Sequence, residues 1–196
     1  MTMNQFSYGR ASSVQEALDV IDAACRPLAG GTDLLAMVKE GLLTPDSLVD
    51  VKRIAGLDRV REKDDALHLG ALVRLSYLIE EPAIGQEPLA CLYHALLQTA
   101  SPQLRHMATL GGNLLQRPRC WYFRNKNTHC LRMGGQRCFA FRGENKYHAI
   151  LGGGPCYIVH PSDPAVALLA LDASVVLAGP DGTCTVPLGE FYLLPK

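Results

Sequence analysis

Strand-like and helical patterns alternate over the first 55 residues of this chain, and that alternation constrains its fold most. Gln5 to Tyr8 alternates as an edge strand does. Ser12 or Ser13 supplies a helix cap with Glu16 near the first turn, and Val14, Ala17, Leu18 and Ile21 form a helical stripe. Arg26 to Ala29 predicts a second strand, Thr32 to Lys39 a helix stopped by Gly41, and Ser47 to Val51 a third strand. Parallel strands need long crossovers, and helices supply them, so the expectation is a small parallel βαβ layer. The second strand joins its helix through Leu28-Ala29-Gly30-Gly31-Thr32-Asp33-Leu34-Leu35. Adjacent glycines let backbone approach something bulky. A helix start straight after them offers N–H groups and a positive dipole end, which suit a phosphate. Gly-Gly at such a joint is equally an ordinary connector.

The pattern changes after residue 55. Asp58 to Glu62 and Ala66 to Leu69 predict a hairpin around Lys63-Asp64-Asp65. Leu75 to Ile79 reads as a short helix and Pro88 to Thr99 as an apolar one, with Leu89, Leu92, Leu96 and Leu97 on one side. Pro102 opens another helix, Gln103 to Ala108. Thr109-Leu110-Gly111-Gly112-Asn113-Leu114 is a second Gly-Gly turn. Residues 117 to 155 are irregular and rich in Arg, Gly and aromatics. Tyr157 to His160 predicts a buried strand, and Asp163 caps a helix from Pro164 to Leu171. Ser174 to Ala178 and Thr183 to Val186 form a hairpin around Gly179-Pro180-Asp181-Gly182.

Seven cysteines, an odd count, argue against a full disulfide framework. Cys25, Cys91 and Cys184 sit in apolar or strand-like settings and read as buried, inert thiols. Cys120, Cys130, Cys138 and Cys156 fall in or beside the irregular stretch, without the C-x-x-C pairs of a zinc ribbon. Four thiolates can hold a [4Fe–4S] cluster; a zinc site and four unligated thiols are the other readings. Arg117, Arg119, Arg124, Lys126, Arg132, Arg137, Arg142 and Lys146 face only Glu144 across this stretch. Such a field lowers thiol pKa values and offsets an anionic cluster. With Trp121, Tyr122, Phe123, Phe139 and Phe141, the same residues resemble a nucleic-acid patch. That reading ranks last, because 19 Lys and Arg balance 19 Asp and Glu over the chain. His129, beside Cys130, reads as a solvated loop histidine rather than a ligand.

No apolar run approaches the roughly 18 residues of a membrane span, and no secretory signal precedes Phe6. No membrane insertion is expected. Neither Gly-Gly turn is a GxGxxG fingerprint, and no Walker A lysine is present. No Ser/His/Asp set or carboxylate pair is placed for acid–base work, so no catalytic residue is expected.

Three stretches carry a family resemblance. They are Ala29-Gly30-Gly31-Thr32-Asp33-Leu34-Leu35, then Ser101-Pro102-Gln103-Leu104-Arg105-His106-Met107-Ala108-Thr109-Leu110-Gly111-Gly112-Asn113, then His160-Pro161-Ser162-Asp163. In that order they resemble the FAD-binding subunit of molybdenum hydroxylases, as in xanthine dehydrogenase, carbon monoxide dehydrogenase and periplasmic aldehyde oxidoreductase. The resemblance implies an α+β chain with the FAD-binding fold of the vanillyl-alcohol oxidase (PCMH) type. Residues 1–55 would be a small parallel α/β subdomain. Residues 56–196 would be a larger mixed subdomain with a cysteine-rich insertion at about 117–156, and FAD would lie between the two. Leu28, Ala29, Gly30, Gly31, Thr32, Asp33, Leu34 and Leu35 would wrap the FAD pyrophosphate with main-chain N–H groups, Thr32 adding a hydroxyl. Thr109, Leu110, Gly111, Gly112 and Asn113 would form a second wall, with Ser101 and Leu104 close by. Asp163 matches a family aspartate that contacts the flavin side.

A branch of that family carries a [4Fe–4S] insertion after the second Gly-Gly turn. It includes the β subunit of 4-hydroxybenzoyl-CoA reductase and the flavin subunit of periplasmic aldehyde oxidoreductase. Gly112-Asn113-Leu114-Leu115-Gln116-Arg117-Pro118-Arg119-Cys120 resembles that branch, the aldehyde oxidoreductase wording most, and implies Cys120, Cys130, Cys138 and Cys156 as cluster ligands. The implied cofactors are FAD and the cluster. The implied partners are a molybdenum-cofactor subunit, which oxidises an aldehyde or an aromatic heterocycle, and a [2Fe–2S] subunit. The chain would pass electrons to an external acceptor, in the cytoplasm or, co-exported with a partner, in the periplasm. Family members continue into a third subdomain, so a chain ending after Tyr192 is expected to be cut short. Two other functions remain open at this point: a zinc- or cluster-stapled interaction module without flavin, and a stand-alone flavin oxidoreductase.

Overall fold

Three strands, β1 (Ser7–Arg10), β2 (Cys25–Leu28) and β3 (Ser47–Asp50), form an all-parallel sheet in the order β1-β3-β2. The computed structural model describes residues 4–193; Met1 to Met3 and Leu194 to Lys196, used above to judge a signal and the chain's end, lie outside them. Ser47 of the central strand stands opposite both Ser7 and Cys25. Its neighbours Leu48 and Val49 are 1% and 3% exposed, because β3 alone has a strand on each side. The first crossover is α1 (Val14–Leu18), whose cap Ser13 accepts the Glu16 N–H at 3.1 Å. The Glu16 carboxylate reaches back to the Ser12 N–H and hydroxyl, each at 2.7 Å, and this reciprocal bonding fixes the helix start. The second crossover is α2 (Leu34–Lys39). Ala11, Ala17, Cys25, Val49 and Ile54 form the core of this layer. At the end of β3, burial disfavours the charged Asp50 carboxylate. Bonds from the Lys52 ammonium at 2.8 Å, the Tyr8 hydroxyl at 2.6 Å and the Lys52 N–H at 2.9 Å outweigh it and hold the pKa at about 2.

The remainder is mixed, so the class is α+β. The strands β4 (Val60–Lys63) and β5 (Ala66–Leu69) pair across Asp64 and Asp65, both left-handed, at φ 54 and 57. Then follow α3 (Leu75–Glu80), α4 (Ala90–Gln98), α5 (Pro102–Arg105) and α6 (Leu110–Leu114). After the cysteine loop come α7 (Asp163–Ala170), the hairpin β6 (Ser174–Gly179) and β7 (Gly182–Pro187), and α8 (Leu188–Phe191). Leu75, Leu78, Ile84, Leu92 and Leu96 are each 0% exposed in a second core that α7 and α8 close with Ala167, Leu168 and Leu188. Leu92→Ala is expected to lower unfolding stability by roughly 2–5 kcal/mol, read as an earlier urea midpoint with an unchanged slope.

Four expectations change. The second Gly-Gly pair does not form an open turn, because α6 runs through Gly111 and Gly112. Tyr157 to His160 is not a strand: among the described residues it has no ladder partner, and Val159 is 49% exposed. Ser162, not Asp163, caps α7, accepting the Ala165 N–H at 3.1 Å, while Asp163 is the first helical residue. Cys25 is buried, but Cys91 and Cys184 are exposed. Cys91 lies off the Leu92–Leu96 face of α4, and Cys184 lies in a two-stranded ribbon. No helix among the described residues is long and apolar enough to cross a membrane.

Candidate functional site

The first glycine pair meets the segment that leads into the second. A Cβ on Gly30 would land on the Met107 carbonyl oxygen, with Ala108 Cα at 3.2 Å, so the first turn rests on the backbone just ahead of the second. Gly31 is left-handed at φ +72, a conformation that suits glycine. The opposing segment is held rigidly. The Arg105 guanidinium donates to the carbonyls of Leu97, Thr99 and Ala100 at 3.1, 3.0 and 3.2 Å. Ser101, through its side chain, caps α5 by accepting the Leu104 N–H at 3.4 Å. Leu104 itself is 47% exposed.

The amides of the two stretches differ in what they face. In the second, Leu110 N–H donates to Val73 O at 2.9 Å, Gly111 N–H to Ala71 O at 2.8 Å, and Gly112 N–H to the Thr109 hydroxyl at 3.2 Å. Asn113 N–H donates to Thr109 O at 2.8 Å. A Cβ on Gly111 would meet Ala71 at 2.9 Å, so that glycine serves helix packing. In the first stretch, the N–H groups of Gly30, Gly31, Thr32, Asp33 and Leu34 find no acceptor among the described residues; Leu35 N–H to Gly31 O, 3.0 Å, is the first bond of α2. Such a run of N–H groups beside a left-handed glycine is an anion cradle. Leu28 and Ala29 lead into it at the end of β2, and Thr32 is exposed. The N–H groups of Leu110 to Asn113 are all spent within their own region.

Asn113 reaches the far segment by its side chain, accepting the Ser162 hydroxyl at 2.6 Å. The exposed Asp163 accepts from the Thr99 hydroxyl at 3.3 Å. Ser162, which sequence reasoning passed over, thus joins α6 to the start of α7.

Asp33 does more with its side chain than its place in the turn implied. Its carboxylate accepts Arg124 Nη2 at 2.7 Å and the Arg117 N–H at 2.8 Å, with Arg119 Nη1 at 3.5 Å. Arg124 also donates to Pro118 O at 2.9 Å and Arg117 O at 3.0 Å. The cysteine loop is therefore anchored to the first glycine turn. Met37 of α2 packs with Phe123 and Cys130 beneath this anchor. A cavity of about 290 Å³ opens there, lined by Leu42, Leu43, Arg117, Arg132 and others. Burial pushes the Arg117 guanidinium down, and Arg132 and Arg124 add to that against Asp33.

All four loop cysteines are unpaired thiols, with Cys130 and Cys156 buried. His148 Nε2 lies 3.2 Å from Cys120 Sγ. The cationic run does not lower Cys120 and Cys156 as expected. Burial pushes Cys120 and Cys156 up; Cys130 and Cys138 add to it at Cys120, and Cys138 and Cys120 at Cys156. Of the loop cations, only Arg132 acts against it, at Cys156. Six of the others are engaged elsewhere: Arg119 and Arg124 at Asp33, and Arg117, Arg137, Arg142 and Lys146 over the rings of Phe123, Phe139, Phe141 and Tyr147.

Among the described residues, no group of three or more His, Cys, Asp or Glu is arranged to hold a metal ion. Neither the zinc nor the cluster reading therefore finds a ready ligand set among the described residues. The loop nevertheless holds both buried side-chain nitrogens found without a partner among the described residues, Arg132 Nε and His148 Nδ1. His148 had no spacing signal to flag it, while His129 is exposed as expected.

A family described as the FAD binding domain in molybdopterin dehydrogenase matches residues 4–196. The chain is similar to the aldehyde oxidoreductase FAD-binding subunit PaoB of Escherichia coli (strain K12), 41% identical over 201 residues, covering 98% of this chain and 62% of that protein. It is similar to the carbon monoxide dehydrogenase medium chain of Afipia carboxidovorans, 34% identical over 116 residues, 58% of this chain and 40% of that one. Among solved structures, carbon monoxide dehydrogenase from Hydrogenophaga pseudoflava superposes with a TM-score of 0.70 at 28% identity, over 98% of this chain and 54% of that chain. The chain spans less than two thirds of the length of each of these relatives.

Proposed function

Because this chain belongs to the family of FAD-binding domains of molybdopterin dehydrogenases, we propose that it is the FAD-binding, electron-transferring part of a multi-subunit molybdenum-containing oxidoreductase. The observation that carries this reading is the run of unpartnered N–H groups from Gly30 to Leu34. A dinucleotide diphosphate needs such donors, and the left-handed Gly31 keeps side chain out of its way. Leu28 to Leu35 hold the diphosphate in this proposal. Thr109, Leu110, Gly111, Gly112 and Asn113 form the second wall of the FAD site in this proposal, with Ser101 close by and Asp163 on the flavin side. When bound, FAD supplies the redox chemistry; the protein binds, orients and tunes it. The fold proposed is the PCMH type, with the division near residue 55 separating the two cores.

The substrate, by this reading, is an aldehyde or an aromatic heterocycle oxidised on a molybdenum-cofactor subunit, and a [2Fe–2S] subunit relays the electrons. The likeness to PaoB supports the aldehyde. A [4Fe–4S] cluster at Cys120, Cys130, Cys138 and Cys156 belongs to the same proposal. The four unpaired thiols and the orphaned Arg132 and His148 nitrogens, all in or beside this loop, support it. A cluster is wider than one ion, so its ligands need not form a single-ion set.

Purified chain supplied with FAD, iron and sulfide is expected to show flavin absorbance and to hold about four irons and four sulfides. Absent flavin absorbance after that treatment would sink the FAD reading. One zinc per chain in place of iron would turn the loop into a structural staple.

A further inference from the structure

The cavity of about 290 Å³ beneath the Asp33 anchor is shared by three pieces of chain, each shaped by its own bonds. After α2 the chain turns at the left-handed Gly41, φ 69, and the Leu42 and Leu43 N–H groups donate back to Met37 O at 2.9 and 3.3 Å. That turn brings Leu42 and Leu43 to the cavity beside Met37. Arg117 and Phe123 come from the start of the cysteine loop, pinned where the Arg117 N–H meets the Asp33 carboxylate. Arg132 and Met133 come from a single tight turn, Leu131–Met133, closed by Cys130 O, which accepts the Met133 and Gly135 N–H groups at 2.8 and 2.9 Å. Five of the seven lining residues are apolar, and the other two are both arginines. Neither guanidinium has a carboxylate partner among the described residues, because Asp33 is taken by Arg124 at 2.7 Å and Arg119 at 3.5 Å. Arg117 lies over the Phe123 ring at 5.4 Å, and the buried Arg132 Nε finds no partner. Burial and Arg132 push the Arg117 guanidinium down against Asp33. Two like charges beside an apolar cavity, with no acid between them, carry a cost that a bound anion offsets. Guanidinium groups match a carboxylate in planar, two-bond geometry. A phosphate has more oxygens to satisfy, and the apolar side chains would leave some of them without a donor. The same side chains suit an apolar body, and the Met37 and Met133 thioethers adapt to an aromatic one. None of Leu28 to Leu35 lines this cavity, so it shares no residue with the N–H cradle.

We propose that this cavity is a binding site for an organic carboxylate with an apolar or aromatic body, its carboxylate held by Arg117 and Arg132 and its body packed on Met37, Phe123 and Met133. The site needs neither FAD nor metal, so it stands or falls apart from the function proposed above.

The test uses the full chain with methyl-labelled methionine, titrated with benzoate, benzamide or inorganic phosphate and followed by nuclear magnetic resonance. Benzoate is expected to move the Met37 and Met133 methyl signals and to leave in place that of Met107, which does not line the cavity. Benzamide keeps the ring without the charge, and phosphate the charge without the ring; each is expected to bind at least about tenfold more weakly. Arg132→Gln is expected to weaken benzoate by about ten- to hundredfold, while its urea midpoint holds or rises, because one of two opposed charges is gone. Leu43→Trp, which fills the cavity and keeps both arginines, is expected to abolish binding. Unmoved Met37 and Met133 signals overturn the inference. So does benzoate bound equally by wild type and either variant, and so does phosphate or benzamide that matches benzoate. Benzoate displaced by saturating FAD assigns the cavity to the flavin and overturns it as well. A chain that takes benzoate as described but no FAD upholds the inference while the FAD reading fails.

Discussion

A Gly30→Ala chain is expected to unfold at clearly lower urea than wild type and to bind no FAD. The new Cβ would collide with the Met107 carbonyl oxygen, its carbon and Ala108 Cα, and none of these can rotate aside. The struck segment is itself pinned. Ala108 O accepts the Leu75 N–H at 3.0 Å, and Arg105 clamps the loop behind α4. The first turn must therefore lift away, carrying the N–H cradle with it. Overpacking costs about 1–3 kcal/mol, and the upper end applies against fixed backbone. Gly9→Ala is the control, since a Cβ there meets nothing within 4 Å. Its urea midpoint is expected to move little. A Gly30→Ala chain with an unchanged midpoint and intact FAD titration would refute the close approach.

Asp33→Ala is expected to release the cysteine loop. The Asp33 and Arg124 side chains are 14% and 13% exposed, so removing the carboxylate leaves a nearly buried guanidinium without its counter-charge. Breaking one side of such a pair costs roughly 3–5 kcal/mol, and the lower end applies here because Arg124 keeps the Pro118 and Arg117 carbonyls. Much of the loss should be local. Hydrogen exchange over residues 117–130 is expected to quicken more than over α3 and α4, with metal and flavin retained less well. Asp33→Asn, which preserves an acceptor for the Arg117 N–H, should fall between. Exchange in the loop equal to wild type in Asp33→Ala would show that the anchor carries no weight.

The small parallel layer was legible because three short apolar runs and their caps all point the same way, and strand ends shifted by only a residue or two. Gly30 and Gly31 were legible as special positions, since close approach and a left-handed turn both call for glycine. Gly111 and Gly112 look identical in sequence but answer to tertiary packing. Thr109 caps a helix straight through them, and Ala71 leaves no room for a Cβ. The cysteine loop was legible as a unit but not in its electrostatics. Counting cations says nothing of which are drawn to Asp33 or laid over aromatic rings, 84 and 91 positions separating Asp33 from Arg117 and Arg124. His148 was hidden for the same reason, since only the folded loop brings it to Cys120.

The strand order of the first sheet bears on how the chain is made. The middle strand, β3, is the last of the three to be synthesised, and neither outer strand pairs with the other. A nascent chain that has not yet extruded Ser47 through Asp50 therefore has two strands and no template to zip them onto. The glycine turn between β2 and α2 stays unbraced even longer, because Met107 and Ala108 emerge some 60 positions after β3. On the ribosome this layer is a late assembler, and a flavin arriving before residue 108 has left the exit tunnel has no finished cradle to enter.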